Sequence, residues 1–124
     1  MDELTQSHCS QINSQSIQLS EIEIQQLRKK LSGWSICNKQ DELRLEKVFK
    51  FTDFNQAMAF SIQIAKEADQ EDHHPAILTE WAKVTLAWYT HKIKGLHLND
   101  FIMAAKSDQL YAEASNNNNK PSVK

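Results

Sequence analysis

Three histidines, His73, His74 and His91, lie close together in the chain and could act on one substrate. Residues 77–82 and 83–91 have the apolar, β-branched character of two strands joined by a tight turn. Pairing across that turn places His91 opposite residue 74, to within a residue or two. Because the Cβ atoms of cross-strand neighbours are roughly 4.5–5.5 Å apart, we expect the three imidazoles to meet at one end of a sheet.

Acid–base catalysis on an organic substrate is the chemistry that such a cluster favours. Imidazole has an unperturbed pKa of about 6.5, so it can donate or accept a proton near neutral pH. A positioned acid or base typically raises a rate by about 10²–10⁴. Asp69, Asp72 and Asp100 are carboxylates that could hold the ring tautomers. Trp81 and Trp88 could stack on a flat heterocycle, or be core aromatics of the sheet.

Other interpretations of the cluster remain open. Three nitrogen ligands and a water describe a catalytic zinc site, but adjacent residues of an extended segment, such as His73 and His74, point to opposite sides. The histidines could instead be structural or surface residues. Nucleophilic catalysis has little support, because Cys9 lies in the polar leader and Cys37 lies on a predicted strand without a nearby histidine. No serine has a nucleophile-elbow context.

The elements that position the cluster follow from local patterns. A first helix is predicted to start at Ser20, where Glu23 completes a capping box, and to stop near Gly33. Apolar residues that alternate with polar ones then indicate two strands, over about 34–38 and 43–51. Turn-forming residues separate these two strands.

A second helix is predicted to begin near Thr52 or Asp53. Its apolar face is expected to consist of Phe54, Ala57, Met58, Ser61, Ile62, Ala65 and Ala68. A third helix opens at Leu98. The order helix, strand, strand, helix, strand, strand, helix predicts an α+β fold, with a four-stranded antiparallel sheet and three helices packed on one face.

Composition places the chain among ordinary globular proteins, with 124 residues, a net charge of −2 and 40% hydrophobic residues. The near-neutral charge argues against a dedicated nucleic-acid binder, and no apolar run approaches the roughly 18 residues of a membrane span. Only two glycines occur, so glycine-rich phosphate loops are excluded. Two cysteines and the lack of a signal-peptide pattern predict a cytoplasmic protein.

The ends of the chain differ in composition from its middle. Residues 1–17 are rich in serine and glutamine, and residues 115–124 include four consecutive asparagines. We expect these to be a disordered leader and a disordered tail, because neither carries enough apolar surface to offset the entropy of ordering. The folded domain is predicted over 18–114. His8 and His97 are expected to be solvated, with no partners.

A spaced set of residue types runs through the histidine region: an acidic residue, three spacers, a histidine pair with proline, and then an aromatic residue, a histidine and an aspartate. The positions are Asp69, His73, His74, Pro75, Trp81, His91 and Asp100. The segments FKFTDFNQAMAF (49–60) and THKIKGLHLND (90–100) accompany them, with Trp34 after the first helix. In all these features the chain resembles the pterin-4a-carbinolamine dehydratase family.

The resemblance implies an activity and a substrate. Family members dehydrate 4a-hydroxytetrahydropterin to quinonoid dihydropterin and water, and so recycle the pterin cofactor of aromatic amino-acid hydroxylases. It implies neither a metal nor an organic cofactor. It also implies a homodimer or homotetramer, which would cover the exposed edges of a small open sheet. Two alternatives stay open: a non-catalytic binding or coactivator module on the same fold, and a divergent member in molybdopterin-related metabolism.

The resemblance also implies roles for particular residues. His73 and His91 would be the acid–base histidines, and His74 would hold the pterin. Asp100 would orient His91, or act through its place at a helix start. Asp69 stands where the family often has glutamate, and it would belong to the substrate-binding residues with Pro75 and Trp81.

Overall fold

The computed structural model describes residues 2–118 of the chain. Its α-helices are α1 (Asp2–Gln6), α2 (Glu21–Arg28), α3 (Phe54–Glu71) and α4 (Leu98–Asn118). Its strands are β1 (Ser35–Lys39), β2 (Glu42–Lys50), β3 (Ala76–Glu80) and β4 (Lys83–Trp88), and a short 3₁₀ helix covers His91–Ile93. The strands form one antiparallel sheet in the order β1-β2-β4-β3. The predicted α+β fold is confirmed, and α1 is a short fourth helix.

The core lies between one face of the sheet and the three longer helices. Successive side chains of a strand point to opposite faces, so alternate residues of the two central strands face the helices. The fully buried large side chains are Leu45, Phe49, Phe60, Ile64, Val84, Leu86, Trp88, Leu96, Phe101, Ile102 and Met103. The other face of the sheet carries polar residues of β2, among them Glu42 and Arg44, beside Tyr89.

Local capping signals fix the starts of the first two longer helices as predicted. Ser20 accepts a hydrogen bond from the Glu23 amide, and the Glu23 carboxylate accepts one from the Ser20 amide. Asp53 caps α3 by accepting from the Gln56 amide at 2.8 Å. The helix α2 ends before Gly33, with its C-cap at Lys29. Side-chain capping of this kind satisfies amides that have no partner within the helix.

The buried face of α3 includes Ala57, Ser61 and Ala68, as predicted, but differs from the predicted face at its larger residues. Phe54, Met58 and Ile62 are 46%, 37% and 51% exposed, whereas Phe60 and Ile64 are buried. The helix has apolar residues on more than one side, so the sequence is compatible with either of two adjacent faces being buried. The face that is buried is the one whose large residues contact the sheet, and here Phe60 packs against Phe49 of β2.

The β3–β4 hairpin turns through Trp81 and Ala82, with Glu80 paired to Lys83 and Ala76 paired to Ala87. The predicted pairing is therefore displaced by two residues. The strand β4 ends before His91, which lies in the following 3₁₀ helix.

The expected disordered leader differs from what the structure shows. The helix α1 lies in this segment, and its Leu4 is buried in the core. Lys106 of α4 donates to the Thr5 carbonyl at 3.0 Å. One buried leucine and a few specific hydrogen bonds hold a segment whose overall composition is polar.

The helix α4 continues through residue 118, into the predicted tail. The remainder of that tail, from 119, lies outside the described residues. None of the helices within 2–118 is long and apolar enough to cross a membrane.

Candidate functional site

The end of α3 presents the histidine pair. Asp72 adopts a left-handed conformation with φ 52°, and its amide donates to the carbonyls of Ala68 and Asp69. The His73 amide donates to the Ala68 carbonyl at 3.1 Å, which completes the helix end. Pro75 then favours an extended conformation at His74. The two rings therefore leave the helix end in different directions, as the sequence predicted.

His73 is held by a buried carboxylate. Its Nε2 donates to Asp100 Oδ1 at 2.7 Å, because an ionised carboxylate can only accept. Asp100 is fully buried, and its Oδ2 accepts from the Thr90 hydroxyl at 2.8 Å and from the His97 amide at 3.0 Å. The expectation that Asp100 orients His91 differs from this arrangement: the ring that Asp100 contacts is that of His73.

The ring of His73 is also held by an aromatic contact, and its second nitrogen is open. It lies parallel to the Trp88 ring, with centroids 6.1 Å apart and an interplanar angle of 10°. Within 2–118, Arg44 Nε is the one buried side-chain nitrogen or oxygen that has no partner. His73 Nδ1 is not among such buried atoms, and its ring shows no second hydrogen bond to any residue of that range, so Nδ1 is open to the cavity. The ring thus has one nitrogen fixed and the other open.

His91 has a different carboxylate, which sequence reasoning missed. Its Nδ1 donates to Oε2 of Glu42, the buried first residue of β2. Leu45 of β2 pairs with Trp88 of β4, and Glu42 and His91 lie three residues further along in each direction. Only the register between two strands that are distant in sequence reveals this pair. The hairpin turn could not have indicated it.

The surroundings of Glu42 keep its carboxylate in place. Arg44 Nη2 lies 3.6 Å from Glu42 Oε1. The Arg44 guanidinium in turn lies over the Tyr89 ring, 4.1 Å from its centroid. His91 itself is largely exposed. A buried, charge-balanced carboxylate therefore holds an exposed imidazole.

His74 is the most loosely held of the three rings. Its Nε2 lies 3.0 Å from Asp69 Oδ1, and both side chains are exposed. The shorter aspartate side chain reaches His74, although Asp69 does not itself line the cavity described below. An exposed pair of this kind contributes little to stability, which leaves His74 free to adjust to a ligand.

The three histidines open onto one cavity of about 670 Å³. It is lined by Cys9, Ser10, Gln11, Ile12, Glu71, Asp72, His73, His74, Tyr89, Thr90, His91 and Lys92. A volume of this size suits a bicyclic heterocycle with a short side chain. Pro75 and Asp100 act behind this lining, through His74 and His73.

Trp81 is not brought to this cavity. It is 71% exposed and lies in the β3–β4 turn, at the opposite end of β3 from the histidine pair. A second cavity of about 520 Å³ lies there, lined by Trp81 with Lys50, Phe51, Glu80, Ala82 and Lys83. Trp88 is buried behind His73. Neither tryptophan lines the cavity that holds the histidines.

Two other titratable groups near the cavity, His97 and Cys9, have shifted pKa values. His97 Nδ1 accepts from the Asn99 amide at 3.0 Å, and burial lowers the pKa of His97 below its usual 6.5. Burial, with the charges of Glu71 and Asp100, raises the pKa of Cys9 to about 12. A thiol of this kind is a poor nucleophile at neutral pH. Across 2–118, no three histidine, cysteine or acidic side chains are arranged to hold a metal ion.

Comparison with known proteins places these features in a family. The family model for pterin 4 alpha carbinolamine dehydratase matches residues 17–110. A Marinobacter nauticus protein named as a pterin-4-alpha-carbinolamine dehydratase is 47% identical over 111 residues, which cover 90% of this chain and all of that protein. A Vibrio cholerae protein with the same name is 50% identical over 110 residues, or 89% of this chain and 98% of the other.

Solved structures agree with the fold. The crystal structure of a transcriptional coactivator/pterin dehydratase from Brucella melitensis superposes with a TM-score of 0.69 at 29% identity, covering 77% of this chain and 99% of the other. A pterin dehydratase-like RuBisCO assembly factor shares the fold, with a TM-score of 0.55 at 24% identity over 64% of this chain and 89% of that one.

Proposed function

Because the chain belongs to the pterin 4 alpha carbinolamine dehydratase family, we propose that it dehydrates a 4a-hydroxytetrahydropterin to quinonoid dihydropterin and water. The observation that carries the proposal is the pair of imidazoles, His73 and His91, that open onto one cavity. Each of them is held by its own buried carboxylate. This arrangement suits a reaction that needs one proton donor and one proton acceptor.

The reaction breaks one carbon–oxygen bond and needs two proton transfers. The N5 lone pair of the substrate forms the C4a=N5 double bond as the C4a–O bond breaks. A general acid protonates the departing hydroxyl to give water, and a general base accepts the N5 proton. Each turnover leaves the acid deprotonated and the base protonated, and proton exchange with solvent restores both. No reductant or oxidant is consumed.

The residues of this chain divide that work. Asp100 and Glu42 each accept from one ring nitrogen, which fixes the proton on that nitrogen and leaves the other nitrogen of each ring available. His73 and His91 then supply the donor and the acceptor. His74, in its exposed pair with Asp69, holds the substrate, and Pro75 sets the direction in which His74 leaves α3.

Stopped-flow decay of freshly generated 4a-hydroxytetrahydropterin tests this function. We expect the wild-type protein to accelerate dehydration well above the spontaneous rate. The His73→Ala, His91→Ala double variant should not accelerate it, although its circular dichroism stays native. Lys83→Ala, at the start of β4 beside the distant hairpin turn, is the control and should match the wild type. A well-folded wild-type protein that leaves the spontaneous rate unchanged would refute the enzyme assignment.

The biological setting of the reaction belongs to the same proposal. Recycling of the pterin cofactor of an aromatic amino-acid hydroxylase, in the cytoplasm, is the setting proposed here. Two free cysteines, Cys9 and Cys37, are in keeping with a reducing compartment. A coupled assay with such a hydroxylase and a dihydropterin reductase should show faster sustained hydroxylation when the protein is added. A chain that speeds dehydration without supporting hydroxylation would favour a different pterin pathway.

We also propose that the protein is a homodimer or homotetramer. Phe54, Met58 and Ile62 form an exposed apolar stripe along α3, and β3 is an edge strand that carries the exposed Leu78. Surfaces of this kind are usually covered by a partner. Light scattering should show a smaller species for Ile62→Glu than for the wild type, while Gln63→Glu, at the exposed neighbouring position, leaves the assembly unchanged. A monomeric wild-type protein would contradict this.

A further inference from the structure

A segment near the N-terminus forms one wall of the histidine cavity. Residues 8–12, which we call the strap, contribute Cys9, Ser10, Gln11 and Ile12 to the lining, on the same cavity as His73, His74 and His91. The strap precedes the part of the chain that the family model matches, 17–110. It is therefore a feature of this chain's cavity that the family pattern does not describe.

Glu71, near the end of α3, is the first residue that holds the strap by hydrogen bonds. Its Oε1 accepts from the Cys9 amide at 2.7 Å, and its Oε2 accepts from His8 Nδ1 at 2.7 Å. Burial alone would raise the pKa of Glu71, but these two hydrogen bonds and the charge of Lys106 outweigh it and hold that pKa below its usual 4.5. Glu71 is thus ionised at neutral pH, two residues before His73.

Asn99, which is buried next to Asp100, is the second residue that holds the strap. Its Oδ1 accepts from the Ser10 amide at 3.0 Å, and its Nδ2 donates to the Ser10 carbonyl at 2.8 Å. This two-way pairing fixes both polar backbone groups of one strap residue. Further along, Lys92 Nζ donates to the Ile12 carbonyl at 3.3 Å. The strap is therefore tied to α3, to the start of α4 and to the residue after His91.

We propose that the strap is a substrate-binding element, which contributes affinity for the pterin from its own wall of the cavity. This rests on the proposed function for the identity of the substrate. The exposed Gln11 offers a carboxamide with both a donor and an acceptor, and the half-buried Ile12 offers apolar surface. The amide and amino groups along the pyrimidinone edge of a pterin present complementary donors and acceptors. No proton of the reaction passes through these groups.

A strap of this kind raises affinity without changing the chemical step. Ser10→Pro removes the amide that donates to Asn99 and leaves the histidines and their carboxylates unaltered. We expect KM to rise by roughly threefold to tenfold, which is the effect of one or two lost hydrogen bonds, with kcat within about twofold of the wild type. Ser14→Pro is the matched control, because Ser14 does not line the cavity and is expected to leave both constants unchanged.

Binding of 7,8-dihydrobiopterin, a stable pterin that cannot be dehydrated, gives a second readout. In the wild type, this probe should slow amide hydrogen exchange at 8–12 together with the histidine segments. Unchanged exchange at 8–12 when the probe protects the histidine segments would overturn the proposal. So would a folded Ser10→Pro protein with wild-type KM, or one in which kcat alone falls. A wild-type protein that binds the probe but does not accelerate dehydration would instead contradict the proposed function.

Discussion

Replacement of Asp100 by asparagine should move the ring proton of His73 from Nε2 to Nδ1, while the side chain at position 100 keeps nearly the same shape. Asp100 receives three donors: His73 Nε2 on Oδ1, and the Thr90 hydroxyl and His97 amide on Oδ2. An asparagine has one carbonyl oxygen. The buried His97 amide can only donate, so we expect the oxygen to stay at the Oδ2 position and the NH₂ group to face His73. Nε2 must then accept, and the ring proton moves to Nδ1.

The catalytic effect of this change should be large and its effect on stability small. Nδ1 is the open nitrogen of His73, so the tautomer change turns a proton acceptor into a donor at the cavity. If this ring accounts for one of the two proton transfers, kcat falls by about 10²–10⁴. The hydrogen bond to His73 becomes a neutral one, which is weaker by about 1–2 kcal/mol. A typical domain has about 5–15 kcal/mol of stability, so the fold survives.

Three measurements on Asp100→Asn separate this reasoning from a general loss of structure. Stopped-flow decay gives kcat, urea unfolding gives the free energy of unfolding, and ¹⁵N NMR of the imidazole gives the tautomer. Asp108→Asn is the matched control on α4: Asp108 accepts from Trp34 Nε1 and Lys47 Nζ and touches no histidine. A folded Asp100→Asn protein with kcat within threefold of the wild type would refute the argument. An equal loss in Asp108→Asn would refute it too.

Three further substitutions give smaller effects. Glu42→Gln should leave the circular dichroism native but lower kcat by roughly tenfold or more. Arg44 can only donate, so the amide oxygen should face Arg44 and the NH₂ group should face His91, which then has no acceptor to fix its tautomer. Ser20→Ala, which breaks the capping box with Glu23, should cost about 1 kcal/mol in urea unfolding without changing kcat. Burial lowers the pKa of His97 in the folded state, so the unfolded state binds more protons as the pH falls from 7.5 to 5.5. Its contribution to stability should be lost over that range, and His97→Asn should reduce the loss seen in unfolding curves at the two pH values.

The parts of the fold that short-range chemistry determines were predicted from the sequence. The capping box at Ser20 and the cap at Asp53 each depend on residues within about four positions of one another. The order of the elements is enough to predict an α+β fold, because three helices and two hairpins have few ways to bury their apolar sides. The histidine cluster itself follows from this local information.

The stripe on α3 and the strap could not be predicted in the same way. Ile62 and Ile64 are equally apolar, and the packing of α3 against the sheet and α4 determines which of them is buried. The strap has a polar composition, and its order comes from Leu4 in the core and from the side chains of Glu71 and Asn99. Amino-acid composition describes the average character of a segment, whereas the order of the strap depends on a few individual contacts that composition does not reveal.

The two carboxylates that hold His73 and His91 illustrate how far sequence reasoning extends. Asp100 belongs to a recognisable motif at a helix start. That it contacts His73, however, depends on where α4 begins relative to the end of α3. Glu42 has no motif at all, and it meets His91 because the β2–β4 register continues beyond the last paired residues. A shift of that register by one residue would turn the carboxylate to the helix-facing side of the sheet. The packing of Leu45 and Phe49 in the core, which fixes the register, is therefore also what positions the second histidine.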